Sequence, residues 1–120
     1  MIKVVIFDNK QVIASIHENP ADDIRIAWAQ EGPDAKGYAV FSESGELLYV
    51  VDRDNIFELL IRAALNHLDL NGVETAFCKN NAMFPGLYLL GFKENGDKLE
   101  VNIKEFFTPC GGCSGKGEKS

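Results

Sequence analysis

The side chains here that could bind a metal, exchange a thiol or move a proton are few, and their spacing sets the first question. Cys110-Gly-Gly-Cys113 is the tightest such arrangement. Two thiols at this separation match half of a structural zinc site or a redox pair. A structural zinc site needs four ligands, and the chain has no second Cys-x-x-Cys. Cys78, His17, His67 or a matching pair from a second subunit would have to complete it. A redox pair is usually followed by a helix that lowers the thiolate pKa, and the glycine-rich sequence after Cys113 predicts none. An idle tail is the simpler reading of the same residues. His67 falls on the apolar side of a helical stretch, in its last turn, where a partly buried imidazole suits the helix dipole. His17 stands beside Glu18 as a solvated pair, and Cys78 reads as a small core residue. Trp28 and Tyr38 flank a loop and read as packing. No phosphate-binding glycine loop, Ser-His-Asp arrangement or carboxylate pair is present.

The whole chain bounds what such residues can serve. It has 120 residues, 46% hydrophobic and 25% charged, which is one domain with a true core. Its net charge of −6 argues against nucleic acid and anionic membrane as partners. Apolar runs are far shorter than the ~20 residues of a membrane span. Three cysteines and an opening Ile-Lys-Val-Val-Ile-Phe without a leader-like pattern predict reduced thiols and a cytoplasmic location.

Elements follow from periodicity. Residues 2–7 and 11–17 are rich in Val and Ile and predict a hairpin across Asp8-Asn9-Lys10. Residues 24–29, 37–42 and 47–51 predict three further strands, the last two joined by Glu43-Ser44-Gly45-Glu46. From Asn55 to Leu70 the polar residues Asn55, Glu58, Arg62, Asn66 and Asp69 recur every three or four positions, which predicts a helix with a wide apolar face. Asn55 and Glu58 have the spacing of a capping box, and Asn71-Gly72 supplies the stop. Residues 73–78 predict a strand, and 82–90 a short helix with Pro85 in its first turn and Gly91 as its end. Residues 92–103 fold back through Asn95-Gly96. The expected fold class is α/β (α+β): a single domain over residues 1–108 on one mainly antiparallel twisted sheet, with one long and one short helix. A flexible Gly- and Cys-containing tail is expected over 109–120.

From Gly37 to Phe92 the sequence resembles the C-terminal half of the GNAT acetyltransferases. GYAVFSESGELLYVVD corresponds to a strand hairpin, RDNIFELLIRAALNHLDLNGVETAFC to loop, long helix and strand, and NNAMFPGLYLLGF to the short helix with its Leu-Gly-Phe ending. The resemblance implies binding of acetyl-CoA or another acyl-CoA and transfer of the acyl group to an amine. It places the pantetheine arm on Tyr49, Val50 and Val51, and the pyrophosphate on Arg53, Asn55, Ile56, Phe57 and Glu58. Asn80 would position substrate, and Tyr88, or water, would protonate the leaving thiolate. The family's loop carries Gln or Arg, two residues, Gly, one residue, then Gly or Ala. Here Arg53 begins correctly, but Ile56 and Glu58 stand at the two small positions. Tyr88 stands one position after the family's tyrosine, and the two helices that usually follow the first strand are replaced by a turn. A shortened sheet of this kind implies a homodimer over its exposed edges. The alternative is a non-catalytic binding module that keeps the fold and presents Cys110 and Cys113 to a metal or a thiol-redox partner.

Overall fold

The computed structural model describes residues 1–108. Seven strands form one sheet in the order β1-β2-β3-β4-β5-β7-β6. They are β1 (Lys3–Phe7), β2 (Ile24–Glu31), β3 (Asp34–Ser42), β4 (Glu46–Asp52), β5 (Thr75–Cys78), β6 (Lys93–Asn95) and β7 (Lys98–Asn102). Every pairing is antiparallel except that of β4 with β5. Among the described residues the helices are α1 (Lys10–Ala14), α2 (Phe57–Leu70), α3 (Phe84–Leu89) and α4 (Ile103–Phe107), with a 3-10 turn at Asn81–Met83 leading into α3.

Two of the short helices were expected as something else. Residues 11–17 carry strand-like residues, yet α1 forms there because the Asn9 side chain accepts from the amides of Gln11 and Val12, at 2.9 and 3.3 Å. A satisfied helix start outweighs weak β propensity over so short a run. Only Ile13 of α1 is buried. Asn102 likewise accepts from the Glu105 amide at 3.0 Å and turns the chain into α4, where the sequence suggested the end of a strand.

The long helix lies where its periodicity placed it. Leu60, Ile61, Ala64, Leu65 and Leu68 are buried against the sheet. Ala27, Ala29, Ala39 and Ala76 face them, and these small side chains let the helix sit close to the strands. The opposite face of the sheet holds a smaller cluster of Ile13, Ile24, Ile26 and Val40, partly covered by α1. Strand alternation sorts the two sets: Ile24 and Ile26 face one way, Ala27 and Ala29 the other.

Candidate functional site

The alternation shifts between Ala29 and Gln30, opposite Gly37 and Ala35, and again in β4. Val40 pairs with Tyr49 but Phe41 pairs with Leu47, so Leu48 is an extra residue in the strand. Leu47 and Val50 pack with the α2 cluster, while Leu48 and Tyr49 both pack on the other face. The bulge coincides with the place where β4 leaves β5. Their parallel pairing is confined to Glu46 with Phe77 and Leu47 with Cys78. Beyond it β4 runs on to Asp52 while the other chain turns away at Cys78, leaving a fork.

Two features define what the fork offers. The Asn80 side chain reaches across it: its Nδ2 donates to the Leu48 carbonyl at 3.0 Å, and its Oδ1 accepts from the Ala82 amide at 3.1 Å. Asn80 thereby closes the base of the fork and starts the turn into α3. Further along β4, the Arg53 amide donates to Lys36 at 3.0 Å, and Val51 and Tyr49 stand opposite Tyr38 and Val40. Antiparallel ladders bond alternate residue pairs, so the amide and carbonyl of Val50 turn from β3 toward the fork. That is the edge an extended ligand with amide groups can extend as an added strand.

Cys78 is fully buried beside the fork. Its sulfur lies 3.6 Å from Met83 Sδ and accepts from the Asn80 amide at 3.4 Å. Burial pushes the thiol pKa up, which keeps it protonated and unreactive.

The start of α2 departs from the expected cap. Asn55 does not bond the helix; it takes a left-handed conformation, φ 57°. Ile56 occupies the cap position without a side-chain bond. The amides just before the helix are held by Asp52, whose Oδ1 accepts from Asp54 N at 3.1 Å and from the cap residue Ile56 N at 2.9 Å. Asp54 lies 4.0 Å from Lys36, and Glu58 is paired with Arg62 at 2.8 Å. The Phe57 ring packs on Gly86 of α3 so closely that a Cβ there would stand 2.6 Å from it. A diphosphate needs converging free amides and a close backbone approach. Here Asp52 holds the amides of Asp54 and Ile56, and side chains at Ile56, Phe57 and Glu58 stand where the approach would be closest, so the loop suits a diphosphate poorly, whereas the edge of β4 suits an amide-bearing arm.

Tyr88 stands away from these groups. Leu87 points into the core, while Tyr88 is exposed and its hydroxyl donates to the Glu94 carboxylate of β6. That bond pushes the phenol pKa up. The pair borders a cavity of about 450 Å3 lined also by Lys79, Phe84 and Lys98. The structure therefore brings together Tyr49, Val50, Val51 and Asn80, sets Arg53 to Glu58 at the top of the fork, and holds Tyr88 at the β6–β7 hairpin.

The face opposite α2 carries a feature hidden in the linear sequence. Phe7, Trp28, Tyr38 and Tyr49 form a row across β1 to β4, with neighbouring ring centres 5.8, 5.6 and 6.4 Å apart. His17 ends the row, its Nδ1 3.1 Å from the Tyr49 hydroxyl. Burial, with Tyr38 adding to it, pushes the Tyr49 phenol pKa up. Trp28 and Tyr38 flank the β2–β3 turn and are direct partners on its two strands, with their rings stacked. The signal that finds the row is register, which one strand alone cannot show.

His67 is a tie between elements. Its Nε2 lies 3.0 Å from Glu43, which also accepts from Arg25 at 2.8 Å. The hydrogen bond from His67, with Arg25 adding to it, holds the Glu43 carboxyl below its ordinary range. Cys110 and Cys113 lie outside the described residues. Among the described residues no cluster of three or more potential ligands could hold a metal, and no helix is long and apolar enough to cross a membrane.

No family model and no curated protein sequence matches the chain. Solved structures do. A GNAT-family protein from Desulfovibrio desulfuricans superposes with a TM-score of 0.61 at 13% identity, covering 86% of this chain and 99% of the other. The ribosomal-protein-S18-alanine N-acetyltransferase of Escherichia coli gives 0.61 at 13% identity, covering 86% and 94%. The PaiA N-acetyltransferase of Thermoplasma acidophilum, solved with coenzyme A, gives 0.55 at 18% identity, covering 67% of this chain and 61% of the other. The chain has a GNAT-like fold.

Proposed function

We propose that this domain binds an acyl thioester in the fork between β4 and β5 and passes the acyl group to an amine. The observation that carries the reading is the parting of the two strands after Leu47 and Cys78, in a fold shared with acetyltransferases. A fold neighbour solved with coenzyme A is consistent with an arm of this kind.

The chain's own groups then have definite tasks. The Val50 amide and carbonyl bond the amide groups of the arm, as an added strand would. Asn80, by covering the Leu48 carbonyl, sets how deep the arm runs. The amine nitrogen attacks the acyl carbon with its lone pair, a carbon–nitrogen bond forms, and the carbon–sulfur bond breaks with its electrons leaving on sulfur. The nitrogen gives up one proton and the sulfur takes one, so thioester and amine become amide and thiol with no redox change. His17, whose Nδ1 lies 3.1 Å from the Tyr49 hydroxyl, is the group we assign to receive the proton from nitrogen. Water protonates the sulfur, because the Tyr88 hydroxyl is committed to Glu94.

Acetyl-pantetheine incubated with the protein and a panel of primary amines tests this through release of free thiol. Saturable binding and amide formation are expected. Val50→Pro removes the fork amide without touching the β3–β4 ladder, and Asn80→Ala opens the base; each is expected to weaken thioester binding by about tenfold or more. Tyr88→Phe is expected to leave the rate nearly unchanged. A folded protein that binds no thioester at all overturns the proposal.

A further inference from the structure

We infer that the donor is recognised by its amide-bearing arm alone, and that the Asp52 carboxylate excludes a nucleotide diphosphate from the start of α2. The inference rests on the acyl-thioester reading of the fork and names the class of donor that fork takes: a pantetheine-type thioester whose phosphates and nucleotide contribute nothing to binding.

Three observations carry it. Asp52 Oδ1 already accepts from the amides of Asp54 and Ile56, and Ile56 is one of the residues the family resemblance assigns to the pyrophosphate. A carboxylate tethered in the same loop competes as an intramolecular ligand, at an effective concentration set by the tether and independent of dilution. The local charges also balance, with Asp52, Asp54 and Glu58 against Lys36, Arg53 and Arg62, and two of the three cations are paired with Asp54 and Glu58. No surplus positive charge remains to attract phosphate. Finally, Phe57, the first residue of α2, lies against Gly86 and ties the helix start to α3. The same α2 that would offer its dipole to a phosphate offers it to the chain's own carboxylate instead.

The experiment is a calorimetric titration of the full, reduced chain with acetyl-coenzyme A, acetyl-pantetheine and adenosine diphosphate. The two thioesters are expected to bind within about threefold of each other, and the diphosphate to give no saturable heat. Asp52→Ala frees both amides and is expected to tighten acetyl-coenzyme A by about tenfold while leaving acetyl-pantetheine unchanged. Asp52→Asn keeps an accepting oxygen and loses the charge, so it moves the ratio the same way by less. Acetyl-coenzyme A binding the unaltered protein more tightly than acetyl-pantetheine by about tenfold overturns this inference and leaves the fork reading standing. Failure of both thioesters to bind overturns the fork reading itself.

Discussion

Gly86 has no room for a methyl group, because the Phe57 ring fills the space where one would stand. Gly86→Ala should therefore cost about 1–3 kcal/mol in urea unfolding, the range for overpacking a tight contact. Replacing Phe57 by Ala in the same chain should recover part of that loss, and the double-mutant cycle would measure the contact directly. Glu43 makes a pH prediction of definite sign. Its carboxyl is held below the ordinary value of 4.5 by His67 and Arg25, so in acid the unfolded chain binds the proton more readily than the folded one. The stability it adds is complete above the ordinary carboxylate range and is lost as pH falls through the lowered folded value. Glu43→Gln should flatten that acid limb and leave the alkaline side of the profile in place. Both residues show how a single side chain acts by fixing one element on another, at α3 and at the β3–β4 turn.

At the scale of elements, the two caps separate what pattern reveals from what it hides. Asn9→Ala should lower stability by about 1 kcal/mol through loss of the α1 start. At α2 the discriminating change is Asn55→Ser. Serine caps as well as asparagine does, so a capping role predicts no effect; the observed left-handed backbone predicts a loss of about 1 kcal/mol. The body of α2 was legible because its polar residues recur at helical spacing along a single stripe. The β6–β7 hairpin was legible in Asn95-Gly96, and the short helix after β5 in Pro85 and Gly91. The start of α2 was not, since Asn55 and Asp52 are both competent to cap and only backbone geometry decides between them. Nor was the bulge at Leu48, which lies inside an unbroken apolar run, LLYVV, where no alternation exists to be interrupted. The fork thus depends on a residue whose role has no signature, whereas Asn80 at its base stood out through a resemblance. The aromatic row is invisible for a related reason: its members lie on four strands, and their meeting is a property of register.

At the scale of the molecule, the sheet has two parts. Strands β1 to β4 are a meander in which each pairs with its neighbour in sequence, and β5 to β7 form a second antiparallel group. Their strands join through two residue pairs of β4 with β5, while α2 and α4 pack across the junction. Hydrogen exchange should find the amides of β2 and β3, inside the meander, slower than those of β5 beside the fork. A ligand laid along β4 should slow the Val50 amide most of all. This division also has a consequence for how the protein comes into being. Residues 1–52 hold every partner the meander needs, so its pairings can close while the rest of the chain is still on the ribosome. The fork exists only after α2 and β5 have followed, so the site is assembled later than the meander that forms its first wall. A chain released early would own a sheet and no cleft.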